Sequence, residues 1–583
     1  MKHLLKKITG YLVFFALIIV CLTLYISYIK HEPVLTAIKE DAKKLLSFHK
    51  HTDTLEESEA IDRAIAIDSG LIDDRIPSDK TEPKKIESEN KTNSEEKSNA
   101  LSPVADNKNQ NPAADASNKE LTRKKLLDQV RKGVVIIKVK SYASTQNDLN
   151  AKAWSGTGFI VNLEKGLIAT NHHVTGDMAV CTYEIKFSDG TTTTAKLNFF
   201  DPLLDFAFLT IDPKDFPTSS MALEFSKNPV KVNDTIYSMG NSAGDEFSTY
   251  KGTVFGIYES LGSFSEQSFR FSGLTVGGAS GSPVFDEDGK VVGIIYGGKF
   301  VSGAALPISH VARALQSLSK GELPSRQSLG LVLRYDDLKD AVNVGALPAE
   351  AQTEYSKAFP TAHNKILVVD TRLVDSPASS QFMAGDIIWK IQGELIGPEL
   401  ARFDEIIDLK SDKAISLEIY REGKLISIEA KPYALTNDGA EKFIQFSGAT
   451  WFDYNEKIRL MTGDKGPGVF ISSADVTSPF KNLFKENFFG VSRPMKITHI
   501  NGKAIQNLAD LEKLIPELLT KKMFSIKFID FLGQQSFGQT VSADRQERFL
   551  ILKYDSKFDN PKAFSFNRKT LEWDIKELKG NNP

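Results

Sequence analysis

The feature that most constrains the fold of this chain is a glycine- and serine-rich segment, residues 277–283, followed closely by an apolar stretch at residues 291–295. Glycines on both sides of Ser280 let the backbone turn tightly and bring bare N–H groups close to a substrate. Such a serine is a candidate nucleophile, and the N–H groups of Gly278, Ala279 and Ser280 are candidate donors for an oxyanion hole. Taken alone, the segment is explained equally well as a plain turn between two strands. Its chemistry therefore depends on partners elsewhere in the chain.

The partners that a nucleophilic serine requires occur upstream. A serine hydroxyl needs a base, and two of the chain's nine histidines, His172 and His173, follow a short apolar run. An acidic residue must orient that base and stabilise its cation. Asp205 lies inside an apolar run at residues 203–209, where a carboxylate is costly unless it is paired, so an imidazole partner accounts for it. The order histidine, aspartate, serine is that of the chymotrypsin-like double barrel.

Several segments together resemble the HtrA/Deg family of serine proteases, in the family's order and at similar spacing. They are residues 155–161, 170–174, 201–209, 238–241, 278–283 and 303–308. The resemblance implies a protease domain in which Ser280 is the nucleophile, His173 the general base and Asp205 its orienting carboxylate. It also implies a homotrimer or a multiple of trimers.

The chain departs from the family's pattern in two places. Where the family usually reads Thr-Asn-Asn-His-Val, residues 170–174 read Thr-Asn-His-His-Val, so the base is expected to be the second histidine, His173. His172 is interpreted as a partly exposed polar residue outside the reacting set. Near the nucleophile, Ala279 and residues 282–283 differ from the family's usual residues, but Gly-x-Ser-Gly-x-Pro is widespread among trypsin-like proteases. Catalysis is therefore expected to be retained.

Length and composition exclude several classes of function. The 583 residues provide for about three or four domains, and a net charge of −3 gives no strong attraction to nucleic acid. The two cysteines, Cys21 and Cys181, lie in very different segments and are not expected to pair. No Cys/His cluster has metal-ligand spacing. Neither a metal nor another cofactor is predicted.

The N-terminal segment predicts a membrane anchor. Residues 8–29 contain no charged side chain and follow three lysines within residues 1–7. About twenty apolar residues span a bilayer, and no small-residue cleavage site follows. Residues 30–120 are predicted to form a juxtamembrane helix and a disordered linker, because residues 51–120 lack aromatic side chains. The leading lysines favour a cytoplasmic tail, which predicts a bacterial inner-membrane protein whose other domains lie in the periplasm.

The remainder of the chain is predicted to be mainly β. Short β-branched runs with glycine-rich turns indicate a barrel or a sandwich over residues 121–320, and the resemblance implies a double β-barrel protease domain there. Two further modules, residues 326–434 and 440–546, resemble each other and resemble PDZ domains of α+β type. Residues 547–583 are left as a C-terminal extension.

The two modules contain candidate loops for peptide binding. In PDZ domains, a loop with glycine between apolar residues offers N–H groups to a peptide C-terminal carboxylate, and the adjoining edge strand pairs with the peptide. Leu329, Gly330 and Leu331 fit this role well. A candidate second loop, Ser447, Gly448 and Ala449, fits less well, and a purely structural second module explains it equally.

Two functions remain open from the sequence. The first is a membrane-anchored, ATP-independent serine endopeptidase acting in envelope protein quality control or in regulated processing of misfolded proteins. Its partners are unfolded or misfolded proteins and C-terminal peptides bound by the PDZ modules. The second is a membrane-tethered peptide-binding sensor or chaperone whose protease domain is largely inactive. Neither the natural substrate nor the activating signal follows from the sequence.

Overall fold

The computed structural model describes residues 112–578, all within the compact unit Lys108–Pro583. The segments left out inside that range are residues 145–152, 177–178, 261–264, 274, 300, 374–375, 411–412, 436–440, 454–467, 475–477, 481–494, 533–543 and 555–559. The predicted tail, membrane span and most of the predicted linker therefore lie outside the described residues. The described chain is mainly β, as predicted.

The predicted protease domain consists of two closed six-stranded barrels. The first contains β1 (Val134–Ser144), β2 (Ala153–Asn162), β3 (Leu167–Thr170), β4 (Ala179–Lys186), β5 (Thr192–Phe200) and β6 (Ala207–Thr210). The second contains β7 (Thr235–Ser242), β8 (Asp245–Glu259), β9 (Ser268–Ser272), β10 (Pro283–Phe285), β11 (Val291–Lys299) and β12 (Ser302–Pro307). Around them lie α1 (Pro112–Arg131), a short 3₁₀ helix (Pro213–Asp215) and α2 (Ile308–Ser319). The helix before β1 begins at Pro112, ahead of residue 121, the predicted start of the protease domain.

The two barrels share one hydrophobic core. Phe159 and Phe208 of the first barrel belong to the same buried cluster as Phe285 and Ile294 of the second, and α2 adds Val311. Strands at this junction face apolar neighbours on both sides, so β3 is buried along its whole length, and its residues do not alternate between apolar and polar. The junction places the loops after β3 and before β10 next to each other.

The strands of the first PDZ-like module are β13 (Gln327–Ser328), β14 (Leu331–Asp337), β15 (Lys365–Arg372), β16 (Ile387–Ile391), β17 (Glu394–Leu395), β18 (Ile415–Arg421), β19 (Lys424–Ala430) and β20 (Tyr433–Ala434). Six of them form a sheet in the order β14-β15-β16-β18-β19, with β17 paired to β16. Its helices are α3 (Leu338–Asn343), α4 (Ala349–Ala358), a 3₁₀ helix (Ser379–Gln381) and α5 (Leu400–Asp408). Helix α5 buries Phe403 and Ile407 against the sheet, an α+β arrangement that fits the PDZ prediction.

The elements of the last module are β21 (Lys442–Phe446), β22 (Ala449–Asp453), β23 (Val469–Ala474), β24 (Met495–Ile500), β25 (Lys503–Ala504), α6 (Leu508–Leu518), β26 (Met523–Leu532), β27 (Asp544–Lys553), β28 (Lys562–Asn567) and β29 (Glu572–Glu577). The strands form a nine-stranded sheet in the order β27-β26-β24-β23-β22-β21-β28-β29, with β25 paired to β24. The predicted C-terminal extension is thus part of this sheet, because β28 pairs with β21 over Lys442–Gln445.

Candidate active site

The histidine and aspartate of the predicted triad lie side by side at the ends of adjacent strands. β3 ends at Thr170 before the turn that carries His173, and Asp205 precedes β6, which pairs with β3. Nδ1 of His173 lies 2.6 Å from Asp205 Oδ2, and the His173 backbone N–H donates to Oδ1 at 2.9 Å. Sequence reasoning missed Asn171, whose Nδ2 donates to the Asp205 backbone oxygen at 2.7 Å. A ring whose Nδ1–H bonds a carboxylate has Nε2 as its basic nitrogen, which a general base requires.

The carboxylate of Asp205 is kept ionised by this pairing. Its side chain is 28% exposed. Burial acts to raise the pKa of Asp205, but the charge and the hydrogen bonds of His173 outweigh it, and that pKa lies below its ordinary value. An ionised Asp205 stabilises the imidazolium that forms when His173 takes up a proton.

The adjacent histidine is buried rather than partly exposed. His172 is 9% exposed, and its ring stacks on Phe200 with centroids 4.2 Å apart and planes 11° apart. The prediction of an exposed polar residue was therefore wrong, because the aromatic face of Phe200 covers the imidazole. The structure places His173, the residue chosen as the general base, beside Asp205, and its catalytic role stays a prediction.

The nucleophile turn has the backbone shape that an oxyanion hole needs. The N–H of Ala279 donates to Val276 O at 3.1 Å, and Gly278 has a φ of 94°, which is the signature of a type II turn with glycine at the third position. The carbonyl of Gly277 accepts from Ala243 N at 2.8 Å. In a trans peptide the N–H points opposite to the C=O, so the Gly278 N–H is directed away from Ala243.

Two of the three predicted oxyanion donors have their N–H groups available. Among the described residues, neither Gly278 N–H nor Ser280 N–H donates to a backbone acceptor. Ala279 was wrongly included, because its N–H is engaged by the turn itself.

The nucleophile and base loops are both attached to one residue of β2. Thr157 donates its N–H to Ser280 O at 2.9 Å and its carbonyl accepts from Thr170 Oγ1 at 2.7 Å. Gly281 has no room for a side chain, since a Cβ atom there would lie 2.0 Å from Thr157 O. Ser280 is half-buried in this setting. The arrangement brings the loops of Ser280 and His173 to the same side of the barrel junction.

The predicted peptide loop of the first module is formed, with glycine in the left-handed region. Gly330 has a φ of 71°, its N–H donates to Ser328 Oγ at 2.9 Å and its carbonyl accepts from Leu373 N. Leu329 and Leu331 are 2% and 9% exposed. Leu329 and Gly330 directly precede the edge strand β14, which begins at Leu331; binding of a peptide carboxylate by these residues stays a prediction.

A residue of the protease domain occupies the open edge of β14. Leu333 N–H donates to Ser265 Oγ at 2.8 Å, and the same hydroxyl lies 3.4 Å from Leu331 O. The connection from β8 to β9 also reaches α5, because Gln267 Oε1 accepts from Ala401 N at 3.3 Å. The strand edge and the helix that would flank a bound peptide are therefore both in contact with the β8–β9 connection.

The candidate loop of the second module is a hairpin turn. Phe446 pairs directly with Ala449, and the two residues between them, Ser447 and Gly448, have φ values of 58° and 64°, as in a type I′ turn. Strand β22 is paired on both edges, with β21 and with β23. Of the two alternatives for Ser447, Gly448 and Ala449, the pairing favours the purely structural module, because no edge of β22 is left for a peptide strand.

The chain is similar in sequence to known serine proteases. Residues 156–294 match the family model described as a trypsin-like peptidase domain. The chain is 27% identical over 484 residues to the pro-apoptotic serine protease NMA111 of Phaeosphaeria nodorum, covering 80% of this chain and 45% of that protein. It is 29% identical over 368 residues to the protein of the same name from Chaetomium globosum, covering 61% and 35%. The chain thus spans less than half the length of the curated relatives it matches.

A solved structure, the HtrA-type protease AlgW with tripeptide, is 20% identical with a TM-score of 0.41, covering 54% of this chain and 97% of that chain.

The relatives overturn one prediction. The curated relatives are fungal proteins, so the predicted location in a bacterial inner membrane, with domains in the periplasm, was wrong. The predicted span at residues 8–29 lies outside the described residues. Among those described, no helix is long and apolar enough to cross a membrane.

The geometry and the sequence match agree at the level of the domain. A paired histidine and aspartate, and a serine directly after a type II turn, lie within the residues that the family model covers. The two closed barrels contain these residues and extend beyond them on both sides. Residues 156–294 therefore belong to a trypsin-like serine peptidase domain, and the chain carries the catalytic domain of a serine endopeptidase.

Proposed function

We propose that the protein is an HtrA/Deg-type serine endopeptidase that degrades or processes unfolded and misfolded proteins without ATP. The observation that carries this proposal is the His173–Asp205 pair together with the type II turn before Ser280. No P-loop sequence occurs in the chain, so the substrates are expected to be segments that are already extended.

The proposed mechanism uses these groups in sequence. His173 takes the proton of the Ser280 hydroxyl as Ser280 attacks the scissile carbonyl, while Asp205 holds the imidazole in orientation. The N–H groups of Gly278 and Ser280 donate to the oxyanion of the tetrahedral intermediate. His173 then protonates the leaving amine and later activates the water that hydrolyses the acyl-enzyme.

The modules after the protease domain differ in their proposed roles. We infer that the first binds peptides with a free C-terminus through Leu329, Gly330 and Leu331, after Ser265 has left the edge of β14. The second is proposed to be structural, since β22 is paired on both edges. Assembly as a trimer or a multiple of trimers stays a prediction.

Replacement of the nucleophile tests the catalytic proposal. Ser280→Ala is expected to lower cleavage of an unfolded model protein by at least about 10³-fold, because catalysis is lost while binding remains. The same change should abolish labelling by a fluorophosphonate probe.

Ser282→Ala is the matched control. It also deletes one oxygen, from a buried hydroxyl that has no hydrogen-bond partner among the described residues, and it should retain activity and labelling. A wild-type protein that binds peptides but neither cleaves nor reacts with the probe would instead favour the sensor or chaperone with an inactive protease domain.

A further inference from the structure

Thr157 lies where the two barrels meet and is completely buried. It belongs to β2 in the first barrel, yet three of its polar atoms face loops near the catalytic residues. Its backbone N–H and carbonyl are bonded to Ser280 O and Thr170 Oγ1, as described above. The side-chain hydroxyl is left to interact with the second barrel.

The hydroxyl bridges two segments of the second barrel. It accepts from Asn241 N at 2.9 Å and donates to Gly278 O at 2.9 Å. These directions are fixed, because a backbone amide only donates, a carbonyl only accepts and a hydroxyl does both. The fit is close, since a Cβ atom on Gly240 would lie 2.6 Å from Thr157 Oγ1.

This bridge acts on the peptides that form the oxyanion hole. Gly277 O is held by Ala243 N, at 2.8 Å, and Gly278 O is held by the Thr157 hydroxyl. The segment that carries Ala243 is itself tied to Thr157 through Asn241. Loss of the hydroxyl would leave the buried N–H of Asn241 and the carbonyl of Gly278 without these partners, which costs free energy unless the segments rotate.

We propose that Thr157 is a positioning residue for the oxyanion hole, holding the turn at residues 276–279 in its type II form through its side-chain hydroxyl. A type I turn would differ chiefly in the rotation of the 277–278 peptide, which turns the Gly278 N–H away from the oxyanion. The inference rests on the proposed endopeptidase function, because the hole stabilises only charge that develops in that reaction.

Steady-state kinetics on a peptide substrate provide the first test. Thr157→Val keeps the shape of the side chain but removes the hydroxyl, and it should lower kcat by about 10- to 100-fold with KM nearly unchanged, since the donors act in the transition state. Affinity for a peptide boronic acid, which mimics the tetrahedral intermediate, should fall by a similar factor. Thr157→Ser keeps the hydroxyl and should recover most of the lost rate.

Thr210→Val is the matched control. Thr210 is half-buried in the same barrel, and its hydroxyl donates to Lys165 O at 3.4 Å, away from the nucleophile turn. This variant should retain kcat. Equal losses in the Val and Ser variants of Thr157, or a rise in KM with kcat unchanged, would overturn the proposal.

A crystal structure of Thr157→Val separates this inference from the proposed function. The expected result is a rotated 277–278 peptide, with φ of Gly278 moved away from 94°. An unchanged type II turn would refute the positioning role even if the wild-type protein proved inactive. Inactivity of the wild type with a rotated turn in the variant would refute only the endopeptidase function.

Discussion

The turn before Ser280 requires a backbone conformation at a single residue, Gly278, that glycine adopts with little strain. Gly278 has a φ of 94°, and a Cβ atom built on it would lie 2.0 Å from Asn241 O. Any side chain there would strain the backbone and press on the neighbouring loop. Rotation of the peptide between residues 277 and 278 relieves both, but it removes the Gly278 N–H from the oxyanion hole.

Gly278→Ala is therefore expected to lower kcat/KM by at least about 10²-fold, the effect of losing one oxyanion donor. The measurement is hydrolysis of a short peptide substrate. Gly190→Ala is the matched control, because Gly190 has a φ of 90° but no atom lies within 4 Å of an added Cβ. Equal loss of activity in both variants would show that general backbone strain, not the turn, is responsible.

The proposed triad was assigned from residue type and from the order of the residues along the chain. His173 and Asp205 are paired as predicted. The supporting contacts were not predictable, since the packing of one segment on another sets them. His172 stacks on Phe200, and Thr157 reaches a carbonyl 121 residues away; no local pattern encodes either contact.

The segment around the β8–β9 connection lies against the strand and the helix of the first module between which a peptide would bind. Besides the Ser265 contacts on β14, Tyr258 donates from its hydroxyl to Glu399 Oε1 at 2.5 Å, just before α5. Tyr258 and Tyr335 of β14 also have ring centroids 5.9 Å apart. A peptide that pairs with β14 must displace this connection, and its measured affinity is reduced by the free energy of that displacement.

Ser265→Ala should tighten binding of a peptide with a free apolar C-terminus. The change removes the hydroxyl that bonds Leu333 N–H and lies next to Leu331 O. One hydrogen bond contributes about 1 kcal/mol, so an increase in affinity of roughly fivefold is expected by calorimetry on the full chain. The amidated form of the same peptide is the control and should bind weakly to both proteins. Unchanged affinity of the acid form would mean that Ser265 does not restrict the groove.

Helix α2 carries a buried imidazole that makes stability depend on pH. His310 is 1% exposed, and neither ring nitrogen has a hydrogen-bond partner among the described residues. Burial, followed by the charges of Arg313 and Arg326, holds the pKa of His310 well below its ordinary value of 6.5. The folded protein therefore keeps this ring neutral, while the unfolded chain takes up a proton below that value. The free energy of unfolding therefore decreases as the pH falls.

The free energy of unfolding, measured in urea, is expected to fall by about 1.4 kcal/mol between pH 7.5 and pH 5.5. Over this range residue 310 takes up a proton in the unfolded chain, whereas its buried ring stays neutral in the folded protein. His310→Leu removes the titrating group and should show a smaller loss over the same range. An identical pH dependence in both proteins would mean that His310 is not responsible.

The second module shows that a local sequence pattern does not reveal which strands will pair. A glycine directly before a strand fits a carboxylate loop, as at Gly330, and also a type I′ hairpin turn, as at Gly448, because both need positive φ. Only the pairing of β21 with β22 distinguishes the two. Similarly, the strands after residue 547 were not assigned to a sheet, because their partner β21 lies far back along the chain.

The C-terminal strands connect the nine-stranded sheet to the protease domain in the molecule as a whole. Lys196 of β5 pairs with Glu572 at 2.7 Å, and Arg568 donates to Asn198 O at 3.3 Å. The Arg568 guanidinium also lies 5.9 Å from the centroid of Phe200, the ring on which His172 stacks. The β28–β29 hairpin thus packs behind the loop that carries His172 and His173.

The first PDZ-like module is connected to the protease domain by a buried charge cluster centred on Arg326. This residue is 7% exposed and pairs with Asp404 at 3.1 Å and Asp408 at 3.3 Å, both on α5, and with Asp201 of the protease domain. Asp201 Oδ1 in turn accepts from Leu203 N and Leu204 N at 2.9 and 2.8 Å. Those residues directly precede Asp205, so one guanidinium links the α5 helix to the loop that carries the partner of the proposed general base.

Removal of one partner from such a cluster leaves buried carboxylates without their counter-charge. Arg326→Leu is therefore expected to lower the free energy of unfolding by about 3–5 kcal/mol. It should also lower kcat, since the loop before Asp205 loses the ion pair that fixes Asp201. Arg334→Leu is the matched control, because Arg334 also pairs with two aspartates but is 43% exposed, and such pairs contribute less than about 1 kcal/mol. Urea unfolding and peptide hydrolysis measure both effects. If Arg326→Leu destabilises the protein no more than Arg334→Leu does, the cluster does not hold the two domains together.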